Sequence, residues 1–97
     1  MTSQETADFV DSMTWEECTV RLYGKLYWCL GVTRYPSDNK LRIQVFEANP
    51  ITYEGIRDLL SYASDSKDDC MKHFLEDKYW DGKSFYEVAP DMEWIDL

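Results

Sequence analysis

Apolar residues recur at every second position between residues 20 and 32. Val20, Leu22, Leu26, Trp28, Leu30 and Val32 are even, whereas Arg21, Tyr23, Lys25 and Tyr27 are odd. Period 2 marks a strand with one buried face. Thr14 and Glu17 have capping-box spacing, so a helix opening at Trp15 competes with it. The six even apolar residues scatter around a helical wheel, which favours the strand. Gly24 and Gly31 interrupt the run and leave either one long bent strand or two shorter ones. Pro36, Ser37, Asp38 and Asn39 then form a turn signal ahead of LRIQVFE, where Leu41, Ile43 and Val45 alternate with Arg42, Gln44 and Phe46. The two runs predict a hairpin.

Helical spacing appears on both sides of this hairpin. Ser3 can cap a short first helix reaching Met13, with Ala7, Phe9 and Val10 on its apolar side. Asn49 and Pro50, with Thr52 as a rival cap, suit the start of a helix whose stripe is Ile56, Leu59, Leu60 and Ala63. Ser66 can cap another, turning Cys70, Met71, Phe74 and Leu75 inward and holding Asp65, Asp68 and Asp69 at the end the helix dipole favours. Asp81-Gly82, between Tyr79-Trp80 and SFYEV, predicts a second small hairpin, while APDMEWIDL has no clear period. This order is that of an α+β fold, with a small antiparallel sheet of three to four strands packed against two to three helices. A chain of 97 residues without internal repeats makes residues 1–97 a single domain.

Composition supports folding, with 44% apolar and 15% aromatic residues. Cys18, Cys29 and Cys70 are an odd set without C-x-x-C spacing, which argues against a disulfide framework or a zinc site and for buried thiols in a reducing cytoplasm. The segment MTSQETADFV lacks the features of a signal peptide, and no apolar run approaches the roughly 18 residues of a membrane span. The expectation is a soluble protein of the host-cell cytoplasm without membrane contact.

Charge changes the picture more than composition does. The net charge of −9 is uneven: −5 over residues 1–17, +3 over residues 18–47 and −7 over residues 48–97. The Arg21, Tyr23, Lys25, Tyr27 side suits single-stranded nucleic acid by residue type, but a chain this acidic repels polyanions. Pairing with the protein's own acidic helices is the simpler use of that side, so direct nucleic-acid binding is not expected.

Catalytic signals are sparse. His73 is the only histidine; Cys70 precedes it by three residues, and Asp69 and Asp77 flank it by four. A metal- or thiol-dependent centre could be built there, yet one helix offers two or three ligands at most, and a histidine paired with a carboxylate is the ordinary outcome. GKS in WDGKSF lacks the earlier glycine of a phosphate loop. No catalytic residue, metal or cofactor is therefore assigned, and an enzyme is disfavoured.

The remaining signal is the acidic carboxy-terminal third, with ten acids and four bases over residues 61–97. Asp65, Asp68, Asp69, Glu76, Asp77, Asp81, Glu87, Asp91 and Glu93, together with Trp80 as an aromatic anchor, form the expected partner-binding set, and Asp96 belongs to the same run. In size, acidity and aromatic content, and in the acid clusters Asp65, Asp68, Asp69, Glu76, Asp77 and Asp81, the chain resembles anti-CRISPR and antirestriction DNA mimics of phages and mobile elements. That resemblance implies a small inhibitor, monomeric or a small homo-oligomer, occupying the basic nucleic-acid site of a target protein. An immunity protein or antitoxin neutralising a nuclease toxin is the alternative. Mimicry requires the acids to form one continuous patch.

Overall fold

The computed structural model describes residues 1–95. It contains α1 (Ser3–Met13), β1 (Cys18–Leu22), β2 (Lys25–Tyr35), β3 (Lys40–Ala48), β4 (Gly55–Ser64), α2 (Lys67–Glu76), α3 (Phe85–Val88), a 3-10 turn (Ala89–Asp91) and β5 (Glu93–Ile95). The α+β class holds, but the sheet has five strands, in the order β4-β3-β2-β1-β5, where three to four were expected. All four pairings are antiparallel.

Two of the strands, β4 and β5, stand where helical or absent periodicity was read. Residues 55–64 form β4, antiparallel to β3, with the register shifting twice, between Val45/Phe46 and between Glu47/Ala48. Each shift leaves one more residue on β4 than on β3, at Leu59 and at Ile56. Ile56 and Leu59 are the two extra residues, and Leu60 and Ala63 lie on opposite faces, opposite Val45 and Arg42, so the helical spacing of Ile56, Leu59, Leu60 and Ala63 corresponds to no single face of the strand. The tail supplies β5, which pairs Thr19 with Ile95, Val20 with Trp94 and Arg21 with Glu93.

The 20–32 run is two strands joined by a two-residue turn. Tyr23 and Gly24 have φ of 50° and 78°, the left-handed pair that a tight hairpin of primed type requires. Leu22 pairs with Lys25, Val20 with Tyr27 and Cys18 with Cys29. Side chains of directly paired residues share a face, so even positions of β1 lie with odd positions of β2. The even apolar residues consequently divide: Val20 and Leu22 face the helices, while Leu26, Trp28 and Leu30 face the opposite way.

The core lies between one sheet face and the helices. Cys18, Val20, Leu22, Tyr27, Cys29, Ile43 and Val45 meet Phe9 and Met13 of α1, Cys70 and Phe74 of α2, and Phe85 and Val88 of α3. Phe9 stacks on Phe85 at 5.5 Å and meets Trp94 edge-on at 5.3 Å, while Phe74 lies 5.1 Å from Phe85. Such pairs add about 0.5–1.5 kcal/mol each beyond the area they bury.

Local signals set the helix ends. Thr2, one residue before the expected cap, accepts from Glu5 N–H at 3.1 Å, and Glu5 accepts from Thr2 N–H at 2.9 Å. Ser66 caps α2 as expected, accepting from Asp69 N–H at 3.2 Å. SFYEV is a short helix and no strand, because Glu87 accepts from Ser84 N–H at 3.1 Å in an S-x-x-E pattern. The Asp81-Gly82 turn does form, with φ of 52° and 82°, but the ladder beyond it is a single bridge from Trp80 to Lys83. After α1 the chain crosses β2 at Gly31, where an added Cβ would stand 2.6 Å from the Glu16 carbonyl oxygen and 2.9 Å from that of Met13. Only glycine allows that crossing.

Candidate partner-binding surface

The structure separates the acids expected to act together. Asp65, Asp68 and Asp69 stand at the amino end of α2, just past the end of β4. Glu76 and Asp77 stand at the other end of this ten-residue helix, about 15 Å away at 1.5 Å per residue. Asp91 accepts from the Tyr23 hydroxyl at 2.7 Å at the β1–β2 turn, and Asp81 lies in the same neighbourhood. Glu93 sits on β5, across four strand spacings of about 4.8 Å from β4, or roughly 19 Å.

Several of these carboxylates already have partners. Glu93 pairs with Arg21 at 3.1 Å; Glu87 is spent on the α3 cap, which holds its pKa below the usual carboxylate range. Asp69 accepts from the Tyr62 hydroxyl at 2.6 Å, the main reason its pKa is also lowered. Asp77 meets His73 Nδ1 at 2.8 Å. Trp80 is corrected outright: it is 3% exposed, with its ring edge-on to Tyr27 at 5.2 Å, and belongs to the core. Asp96 lies outside the described residues. The remaining acids are exposed or half-exposed but form separate groups, so the described residues do not supply a single acidic track.

The chemistry-bearing residues are built into packing. The His73 ring stacks on Tyr62 at 3.8 Å, between Asp69 and Asp77. Among the described residues no group of three or more His, Cys, Asp or Glu is placed to hold a metal ion. All three cysteines are buried and free, and burial pushes the Cys18 thiol up to about 11 and raises Cys29 and Cys70. Thiols so displaced stay protonated at neutral pH and are poor nucleophiles.

A surface that the sequence reading missed lies on the sheet face away from the helices. Trp28 and Phe46 stack there at 6.3 Å with rings 5° from parallel, both half-buried, with Leu30 beside them. Leu26 and Ala48 pair on the same face, covered yet outside the main core. Phe46 also lies against Gly55, where a Cβ would be 3.5 Å from its ring, and past it Ile56 and Tyr53 are about half exposed. Two recesses of about 280 and 370 Å³, sharing Glu16 and Glu17, open toward this face and include Thr19, Trp28, Leu30 and Gln44 in their walls. The result is a strip of partly buried aromatic and aliphatic side chains with Glu16 and Glu17 along one border and Arg42 at the wall of the second recess. Reading Tyr23-Gly24 as a hairpin turn would have exposed it, because that turn reverses which parity faces inward.

Comparison with family models, curated proteins and solved structures gives no match for this chain. Among the described residues no helix is long and apolar enough to cross a membrane.

Proposed function

We propose that this chain is a small inhibitor that binds a basic surface of a nucleic-acid-handling protein, and that it does so through the sheet face away from the helices, beside Glu16 and Glu17. The observation that carries the reading is the apolar strip of Trp28, Phe46 and Leu30, bordered by Glu16 and Glu17, in a chain of net charge −9. Aromatic side chains clustered on an open face supply the anchor of an interface, and the surrounding negative charge speeds encounter with a basic target. Imitation of a nucleic-acid backbone would need charges every few ångströms along one line. The separated acid groups favour a mixed apolar and electrostatic grip over such imitation. Protonated thiols and a histidine held between aspartates favour binding over catalysis.

The test is capture of partners from a bacterial lysate on the immobilised protein, followed by mass spectrometry and reconstitution with the purified target. The expected result is a nucleic-acid-binding protein or complex, retained at low salt and released as salt rises, whose affinity falls at least tenfold with Trp28→Ala. Binding that ignores both salt and Trp28 would refute the proposal.

A further inference from the structure

Strand β4 is the sheet's long free edge, ten residues against three in β5. Its two halves differ. Residues 55–59 contain both register shifts and the charges Arg57 and Asp58, the features by which natural edges repel further strands. Residues 60–64, Leu-Ser-Tyr-Ala-Ser, pair regularly with β3 from Val45↔Leu60 to Leu41↔Ser64 and contain no charge, proline, glycine or bulge. A regular uncharged edge presents alternate N–H and C=O groups to an incoming strand.

The flank of that edge is chemically marked. On the helix-facing side, Tyr62 holds Asp69 through its hydroxyl and carries the stacked His73 ring, which is bonded in turn to Asp77; Asp65 lies just past the strand end. A sixth strand would lie about 4.8 Å outside β4, with alternate side chains reaching these carboxylates. We infer that the Leu60–Ser64 edge of β4 receives an extended lysine- or arginine-bearing segment of the partner protein, its backbone pairing with β4 and its cations meeting Asp65, Asp69 and Asp77. This rests on the partner being basic, as proposed above. A second copy of the chain is disfavoured as the occupant, because antiparallel pairing of two β4 edges brings both sets of aspartates together in molecules already carrying −9 each.

The probe is a capped nine-residue peptide alternating valine and lysine, compared with the same peptide N-methylated along one edge so that its charge is kept and its strand pairing lost. Affinity is read by fluorescence anisotropy, and hydrogen exchange of the full chain locates the contact. The expected results are at least tenfold tighter binding of the unmethylated peptide, slowed exchange at residues 60–64, and at least fivefold weaker binding for Asp69→Asn/Asp77→Asn. Asp65→Asn, at an exposed position outside the helix, should weaken binding in the same direction if the double variant fails to fold. Absence of binding, equal affinity of the two peptides, or a dimer formed through β4 in sedimentation velocity would overturn the inference. Protection confined to the Trp28–Phe46 face would also overturn it while leaving the basic-partner reading intact.

Discussion

The two faces of the sheet use similar side chains for different ends. On the helix-covered face Phe9, Phe74 and Phe85 are fully buried and touch one another, whereas on the opposite face Trp28 and Phe46 stack while remaining only partly buried. Interiors packed on all sides transmit every missing atom into lost stability, while a partly covered ring costs in proportion to the area it buries and keeps the remainder for a partner. The covered face therefore specifies the fold. The open face is where a contact with another protein is cheapest to place.

The sharpest break of this comparison is Phe74→Ala, which empties a fully buried site and should cost about 3–5 kcal/mol in urea unfolding. Gly31→Ala forces a methyl group into the backbone of residues 13 and 16 and should cost about 1–3 kcal/mol, while Gly55→Ala, meeting only the Phe46 ring at 3.5 Å, should change stability by less than about 1 kcal/mol. Equal effects of the two glycine variants would contradict the crossing at Gly31. Trp28→Ala, at a partly buried position, should cost about 2–3 kcal/mol, less than Phe74→Ala, while weakening the proposed partner tenfold or more. Trp28→Phe should cost less than Trp28→Ala, because the lost ring area is partly offset by removing a covered indole N–H that no protein group accepts from.

The smallest effect concerns pH. The Tyr62 hydroxyl lowers the pKa of Asp69, so folding gains from the ionised carboxylate above the unfolded value of about 3.9, and that gain disappears as pH falls through the lower folded value. Carboxyl titration by NMR should place Asp69 below a free aspartate and return it toward the ordinary value in Tyr62→Phe. An unchanged titration in that variant would remove the hydroxyl as the cause.

Elements whose signals are local were legible in the sequence. The alternation of Leu41, Ile43 and Val45 gave β3, and Ser66 with the Cys70, Met71, Phe74 stripe gave α2. What failed depended on interruptions of a period. The extra residues Leu59 and Ile56 broke the alternation that would have marked β4 as a strand, and the Tyr23-Gly24 turn hid the fact that Trp28 and Val20 face opposite ways. Trp80 was read as an anchor from residue type, yet its ring closes the core against Tyr27. The acids were easy to count, but their grouping depends on which sheet edge and which helix end each one reaches, and composition carries no such information.

The Tyr23-Gly24 turn works as a parity inverter for everything downstream in β2. One residue added or deleted there would drive Trp28 and Leu30 inward and turn Tyr27 and Cys29 out to water, exchanging surface for interior without altering a single amino acid of the strand. Evolution can therefore retune the strip by substitution but not by a one-residue change of length at this turn.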